Sequence, residues 1–82
     1  MNLMNDIADR LKSVFMKTFS LTAEQLPDRL EQEFIEQWDS LGHLQLIMAI
    51  EQEFGLRFNS EKIPKLTSLA KIIEEIPYAS QL

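Results

Sequence analysis

The 82-residue chain contains no cysteine, two glycines, three prolines and a single histidine. Without cysteine it forms no disulfide and has no thiol nucleophile of its own. One histidine without cysteine cannot supply the ligands of a usual zinc site, so we expect no metal centre. A β-sandwich or barrel needs many turns, and the shortage of glycine and proline therefore favours helices.

Charge and hydropathy exclude further classes of protein. The net charge of −5 at pH 7 would repel a phosphate backbone, so we expect no nucleic-acid partner. The longest unbroken apolar run covers residues 46–50, far short of the ~20 residues that span a bilayer. The early residues include Asp6 and Asp9 and contain no apolar signal core. These features predict a soluble, cytoplasmic protein without a membrane span, which we expect to be a monomer.

The spacing of apolar residues predicts two long helices. Apolar residues every three or four positions indicate an amphipathic helix over residues 3–19, which Asn2 or Asn5 can cap. A second helix is predicted over residues 40–54, and it stops before Gly55, a residue type that suits the position just past a helix end.

Two further helical segments complete the expected fold. Asn59 or Ser60 can cap a short turn of helix that Pro64 closes. The last helix is predicted to begin at Thr67 and to end at Pro77, because the apolar residues between them have helical spacing. The sequence thus predicts an all-α fold, a small four-helix bundle with three main helices and one short helix, in a single domain of all 82 residues.

A long polar connection, residues 20–38, joins the first two helices. Thr22 and Gln25 have the spacing of a capping box, which predicts a turn of helix that Pro27 interrupts. A connection of this length is uncommon in a compact domain and is often functional or held by packing. Its expected anchors in the core are Leu30, Phe34, Ile35 and Trp38.

The surplus negative charge lies in the middle of the chain. Residues 24–53 contain eight acidic residues and one basic residue, Arg29. A local field of one sign attracts a basic partner and speeds its encounter with the protein. The alternative interpretation is a solvated acidic segment that keeps the protein in solution.

The second helix has two apolar faces. The face expected in the core consists of Leu46, Ile47, Ile50 and Phe54. On a helical wheel, Leu41, Leu44 and Met48 form a second group, here called the Met48 strip, and Glu51 lies between the two faces. Two interpretations of the Met48 strip stay open: other segments of the chain cover it, or it meets a partner or ligand, a use to which adaptable methionine is suited.

Ser40 begins this helix, directly after Asp39. Either side chain can accept a backbone N–H of the first turn, so capping is the first interpretation of both. No GxSxG motif surrounds Ser40, and the wheel places His43 on the core side of the helix, which does not suit a catalytic base. We therefore identify no catalytic residue and do not expect an enzyme.

The run Trp-Asp-Ser-Leu at residues 38–41, the apolar spacing that follows it and the acidic-aromatic ending at residues 51–54 closely resemble the acyl carrier protein family. The Asp-Ser-Leu tripeptide becomes specific in combination with that spacing, the acidic segment before it and the helical frame. The likeness extends over residues 3–76. It implies a four-helix bundle in which Ser40 carries a covalent 4′-phosphopantetheine arm.

The resemblance also implies a set of partner enzymes. A phosphopantetheinyl transferase would move the group from coenzyme A to the hydroxyl, and the thiol of the arm would hold an acyl or aminoacyl chain as a thioester. Acyl-loading and acyl-transferring enzymes of fatty acid, polyketide or related biosynthesis would dock through basic surfaces. The residues that match the docking positions of the family are Asp39, Leu41, Leu44, Met48, Glu51 and Glu53.

Three positions of the second helix depart from the fatty acid carriers. Gly42 occupies a position where many of them have an acidic residue, and Gln45 and Gln52 occupy positions where they often have glutamate. With His43, the run Trp-Asp-Ser-Leu-Gly-His is more similar to discrete carriers of specialised pathways. The alternative hypothesis is an unmodified, carrier-like protein–protein interaction domain that has the docking face and no arm.

Overall fold

The computed structural model describes residues 3–81, with side chains from residue 6 onward. Within this range the three α-helices are α1 (Leu3–Phe19), α2 (Ser40–Phe54) and α3 (Leu69–Glu75). Short 3-10 helices cover Ala23–Gln25, Gln32–Phe34, Ile63–Lys65 and Ile76–Tyr78, and two-residue strands form β1 (Leu56–Arg57) and β2 (Ser80–Gln81). The helical bundle expected from the sequence is confirmed, and α1 and α2 have the predicted bounds. The suggested cap Asn2 and the side chain of Asn5 lie outside the described residues.

The core lies where α1 packs against α2 and where α3 and the connection close over them. Each helix contributes the apolar side of its 3.6-residue period, so the hydrophobic contacts form one continuous cluster. Its buried members are Leu11, Val14, Phe15, Phe19, Leu30, Ile35, Trp38, Leu46, Ile47, Ile50, Leu56, Phe58, Leu66 and Ile72. Of the face expected in the core, Phe54 alone is only partly buried.

Aromatic rings fix the approach of the connection to α1. The Trp38 ring meets Phe15 edge-on, with centroids 5.1 Å apart, and lies 6.0 Å from Phe19. Edge-to-face and tilted rings at these distances attract each other in addition to burying apolar area. The residues just before α2 are therefore held by the core.

Three of the four expected anchors of the connection are buried, and the fourth prediction is wrong. Leu30, Ile35 and Trp38 belong to the core, whereas Phe34 is 48% exposed. Ile35 follows the 3-10 turn in an extended conformation and takes the inward direction, so its neighbour Phe34 points outward. The Phe34 ring instead lies 5.2 Å from the guanidinium carbon of Arg29. The turn predicted from the capping box is present, with the Thr22 N–H donating to Oε1 of Gln25 at 2.8 Å.

The C-terminal helices differ from the prediction at their ends. α3 begins two residues later than Thr67, because the Ser68 hydroxyl caps it by accepting the Lys71 N–H at 3.1 Å. Pro64 lies inside the Ile63–Lys65 helix and does not close it as expected. α3 does end before Pro77, which lies in the Ile76–Tyr78 helix that follows. A proline fits the first turn of a helix, where its missing N–H has no partner to lose.

Backbone hydrogen bonds join segments that are distant in the sequence. β1 pairs antiparallel with β2, which sets Leu56 opposite Gln81 and Arg57 opposite Ser80. The connection reaches the start of α3 through the Leu69 N–H, which donates to the Leu30 carbonyl at 2.8 Å. None of the helices between residues 3 and 81 is long and apolar enough to cross a bilayer.

Candidate functional site

Asp39 is the N-cap of α2, so the Ser40 hydroxyl is not used to cap the helix. Oδ1 of Asp39 accepts the Gly42 N–H at 2.8 Å, and the carbonyl of Asp39 accepts the His43 N–H at 2.7 Å. Ser40 is the first residue of α2 and is exposed. Of the two capping residues that the sequence allowed, the structure selects Asp39. The hydroxyl of Ser40 is accessible to another molecule.

A hydrogen-bond chain through the buried His43 side chain holds the first turn of α2. The Trp38 indole N–H donates to Nδ1 of His43 at 2.8 Å, and Nε2 of His43 lies 2.7 Å from the carbonyl oxygen of Ile63. Because an indole N–H only donates, Nδ1 accepts and Nε2 carries the hydrogen that it donates to Ile63. His43 is 8% exposed, so the packed histidine expected from the wheel is confirmed. The chain ties together the connection, α2 and the loop before α3.

Gly42 permits a close backbone approach that sequence reasoning missed. A Cβ at this position would overlap the carbonyl oxygen of Gln37 and would lie 3.2 Å from Cε1 of Phe19. The sequence suggested a lost acidic residue here, whereas the structure leaves no room for any side chain. The signal was the glycine inside a predicted helix, a position where that residue costs stability unless packing requires it.

The Met48 strip is open to solvent. Leu41 and Met48 are each 66% exposed and Leu44 is 55% exposed. Neither the connection nor α3 covers these side chains, so the first of the two interpretations is wrong. Helical geometry places the strip on the same side of α2 as Ser40. The structure thus brings together an accessible hydroxyl and an exposed apolar surface.

The three acidic residues that matched docking positions are all engaged within the chain. Asp39 caps α2, as described above. Oε2 of Glu51 accepts the Phe58 N–H at 2.9 Å, and Oε2 of Glu53 lies 3.1 Å from a guanidinium nitrogen of Arg10. Glu51 lies beside the Met48 strip, whereas Glu53 faces α1.

Other features of the surface bring no further chemistry to Ser40. Within residues 3–81, the structure contains no cluster of histidine, aspartate and glutamate that could hold a metal ion. A groove of about 550 Å³ lies between α1, the connection and α3 and does not include Ser40. Its apolar lining comes chiefly from Met16, Leu26, Leu30 and Leu69.

Comparison with known proteins gives relatives of similar length, among them two acyl carrier proteins of Buchnera aphidicola. The chain is 31% identical over 75 residues to the acyl carrier protein of Buchnera aphidicola subsp. Schizaphis graminum, an alignment that covers 89% of this chain and 92% of that protein. It is 29% identical over 75 residues to the acyl carrier protein of Buchnera aphidicola subsp. Acyrthosiphon pisum, covering 89% and 91%. No protein-family model matches the sequence.

Proposed function

Because this chain belongs to the acyl carrier protein family, we propose that it holds acyl or aminoacyl intermediates as thioesters on a 4′-phosphopantetheine arm attached to Ser40. Carriers of this family bear phosphopantetheine and are not enzymes. The whole chain acts as one carrier domain in the cytoplasm, where coenzyme A is available. The arm supplies the reactive thiol, and the chain supplies the attachment point and the surface that enzymes recognise.

The observation that carries the proposal is the exposed Ser40 at the start of α2. The N–H groups of a first helical turn and the positive end of the helix dipole favour an anionic group, so a phosphodiester fits this position. Asp39 already performs the capping that a serine would otherwise perform. The chain has no cysteine, so its own residues do not compete with the thiol of the arm.

The surroundings of Ser40 suit a fixed attachment point. The Trp38–His43–Ile63 hydrogen-bond chain and the close approach at Gly42 hold the first turn of α2 against the core. A flexible arm on a rigid root keeps its cargo at high local concentration for each docked enzyme. The residues around Ser40 therefore act by positioning the arm and perform no chemical step.

The partners in this proposal are a phosphopantetheinyl transferase and the enzymes that load and transfer the acyl group. The docking surface of this proposal is the Met48 strip with Asp39 and Glu51 beside it, together with Glu53 on the side of α2 that faces α1. Exposed carboxylates of the connection attract basic enzyme surfaces from a distance. Gly42 and the two glutamines of α2 favour a discrete carrier of a specialised pathway over a general fatty acid carrier.

The test of this function is the intact mass of the protein after coexpression with a broad-specificity phosphopantetheinyl transferase. We expect a gain of one phosphopantetheinyl group in the wild-type chain and none in Ser40→Ala. The matched control is Ser13→Ala, which removes an exposed serine of α1 and leaves the modification intact. A wild-type chain that gains no group, or a Ser40→Ala chain that gains it equally, overturns the proposal and favours the unmodified interaction domain.

A further inference from the structure

We infer that His43 is a pH-sensitive positioning residue of the Ser40 site. As a neutral imidazole it bonds the first turn of α2 to the connection and to the loop before α3. Proton uptake by the ring breaks the bond to the connection and loosens the turn that carries Ser40. The inference rests on the proposed function for the role of Ser40, whereas its main test uses the unmodified chain.

Only one protonation state of His43 satisfies both of its hydrogen-bond partners. The Trp38 indole is a donor and the Ile63 carbonyl is an acceptor, so the ring must accept at Nδ1 and donate at Nε2. A neutral ring with its hydrogen on Nδ1 satisfies neither partner. The imidazolium keeps the bond to Ile63, but it sets a second donor against the indole N–H across an N–N distance of 2.8 Å.

Trp38 is held by the core and cannot turn away from a protonated ring. Its side chain packs on Phe15 and Phe19, and its carbonyl accepts from Nε2 of Gln32 at 2.9 Å. The Trp38 and His43 rings are 14° from parallel, so the indole N–H and the Nδ1 lone pair, each in the plane of its ring, can align. Because Trp38 is only 2% exposed, water cannot replace the lost acceptor unless the core opens.

No carboxylate compensates a positive charge on His43. Asp39 lies one turn earlier on α2, and its Oδ1 is engaged with the Gly42 N–H. In the connection, Glu36 is exposed to solvent. Among the side chains of residues 6–81, none forms an ion pair with His43. Proton uptake therefore removes one hydrogen bond and provides no ion pair in exchange.

The other elements around His43 do not compensate the charge either. In the loop before α3, the exposed Lys62 and Lys65 lie on either side of Ile63 in the sequence and carry charge of the same sign as a protonated ring. α1 approaches this turn with the apolar ring of Phe19. The surroundings thus suit the neutral imidazole, which bonds at both nitrogens.

The first turn of α2 connects His43 to Ser40. The two residues are three positions apart, and the His43 N–H donates to the carbonyl of Asp39 at 2.7 Å, directly before Ser40. With both ring nitrogens bonded, the turn is fixed against two other segments of the chain. With the bond to Ile63 alone, it loses its contact with the connection. Since transfer to a hydroxyl depends on close alignment of the reacting atoms, a looser turn lowers the rate of modification.

The main test follows both rings by ¹H–¹⁵N NMR of the unmodified chain. The chain contains one tryptophan and one histidine, so each side-chain signal has one source. Histidine ordinarily changes its charge between about pH 5 and about pH 8, which sets the range of the titration. At the upper limit we expect the imidazole hydrogen on Nε2. On acidification, the indole N–H signal should shift with the same midpoint as the imidazole nitrogens.

Three results of this titration overturn the inference. The first is a neutral ring with its hydrogen on Nδ1. The second is an indole signal that stays in place while the ring takes up its proton, and the third is a ring that stays neutral down to about pH 5. Far-UV circular dichroism is recorded beside it. If the helical signal is lost together with the indole shift, the proton unfolds the whole domain and the inference of a local effect is also overturned.

The second test asks whether the same proton changes the Ser40 site. It measures kcat/KM for phosphopantetheine transfer, with intact mass as the readout, in the wild type and in His43→Gln at about pH 8 and about pH 5.5. Glutamine keeps a donor for the Ile63 carbonyl and does not titrate. The rate ratio of the two chains therefore cancels the pH dependence of the transferase.

We expect the ratio of wild type to His43→Gln to fall by about fivefold or more at the lower pH, because a lost bond to a buried donor is worth such a factor. The exposed control Ser13→Ala should follow the wild type within about twofold at both pH values. A ratio to His43→Gln that changes by less than about twofold overturns the positioning role.

Trp38→Phe keeps the test decisive if His43→Gln does not fold. It retains an aromatic ring in the core but removes the indole N–H, so a proton on Nδ1 displaces no bond. The ratio of wild type to Trp38→Phe should then fall by the same factor. A wild-type chain that is never modified overturns the proposed function, and in that case the NMR titration still decides whether proton uptake by His43 breaks its bond to Trp38.

Discussion

The two sides of α2 have similar side chains in opposite surroundings. Leu46 is fully buried, whereas Leu44, two residues earlier, is 55% exposed, and Ile50 and Met48 differ in the same way. α1 and the connection pack against one side, and no element within residues 3–81 covers the other. Hydropathy is nearly equal on the two sides, and the position of neighbouring elements decides which side is buried.

Because of this difference, the buried side of α2 contributes to stability and the exposed side is available for binding. Side chains of the buried side remove apolar area from water in every molecule that folds, so they stabilise the fold directly. The exposed side gives no such gain until a partner covers it, and its apolar surface is free for binding. In the proposed function, one helix thus serves both stability and binding, with Ser40 at its first position.

The largest expected effect on stability comes from truncating a side chain on the buried side of α2. The comparison is the same truncation on its exposed side. Ile50→Ala should lower the free energy of unfolding by about 2–5 kcal/mol, because it leaves a cavity in a closely packed core. Leu41→Ala should lower it by less than about 0.5 kcal/mol, because the side chain is already in solvent. Chemical denaturation with linear extrapolation measures both.

Phe54→Ala gives an intermediate case that sharpens this comparison. Its ring is partly buried and lies under the Arg10 guanidinium at 4.2 Å, so its loss should fall between those of Ile50→Ala and Leu41→Ala. Equal losses for Ile50→Ala and Leu41→Ala would mean that both sides of α2 are covered in solution. That result would also remove the Met48 strip as a docking surface.

A smaller loss is expected where α2 meets the connection. Gly42→Ala places a methyl group against the Gln37 carbonyl oxygen, so the backbone must shift, at a cost of about 1–3 kcal/mol. The matched control is Gln45→Ala, which creates the same residue at an exposed position of the same helix and should change stability by less than about 0.5 kcal/mol. If Gly42→Ala is as stable as this control, the close approach does not exist and an acidic residue would fit there.

The features that were predicted from the sequence depend on local spacing. The bounds of α1 and α2, the buried face with Leu46 and Ile50, and the inward position of His43 all follow from the 3.6-residue period and from Gly55, whose φ of 63° suits a helix end. These features need no knowledge of which distant segments meet. Periodicity was therefore sufficient for them.

The features that were missed depend on contacts between distant segments. Phe34 points outward because Ile35 takes the core position beside it, and periodicity does not rank two adjacent apolar residues. Glu53 pairs with Arg10, which is 43 residues away. The strand pair of β1 with β2 likewise joins the end of α2 to the C-terminal segment. A wheel drawn on one helix contains no information about these partners.

The smallest expected effect tests the contact between Arg10 of α1 and Glu53 of α2. The guanidinium of Arg10 donates to Oε2 of Glu53 at 3.1 Å and to its carbonyl oxygen at 2.8 Å. It also covers the Phe54 ring. Arg10→Lys keeps the charge but loses the planar fork and the stacking, so we expect a loss of about 0.5–1 kcal/mol.

The reverse exchange Lys12→Arg on the same helix is the matched control for Arg10→Lys and should leave the free energy of unfolding unchanged within about 0.5 kcal/mol. Added salt should reduce only the part of the Arg10 effect that comes from the Glu53 carboxylate, because the carbonyl bond and the ring contact involve no second charge. If Arg10→Lys matches the wild type at every ionic strength, the Arg10–Glu53 pair adds nothing to the fold. The Glu53 carboxylate would then be available to a partner.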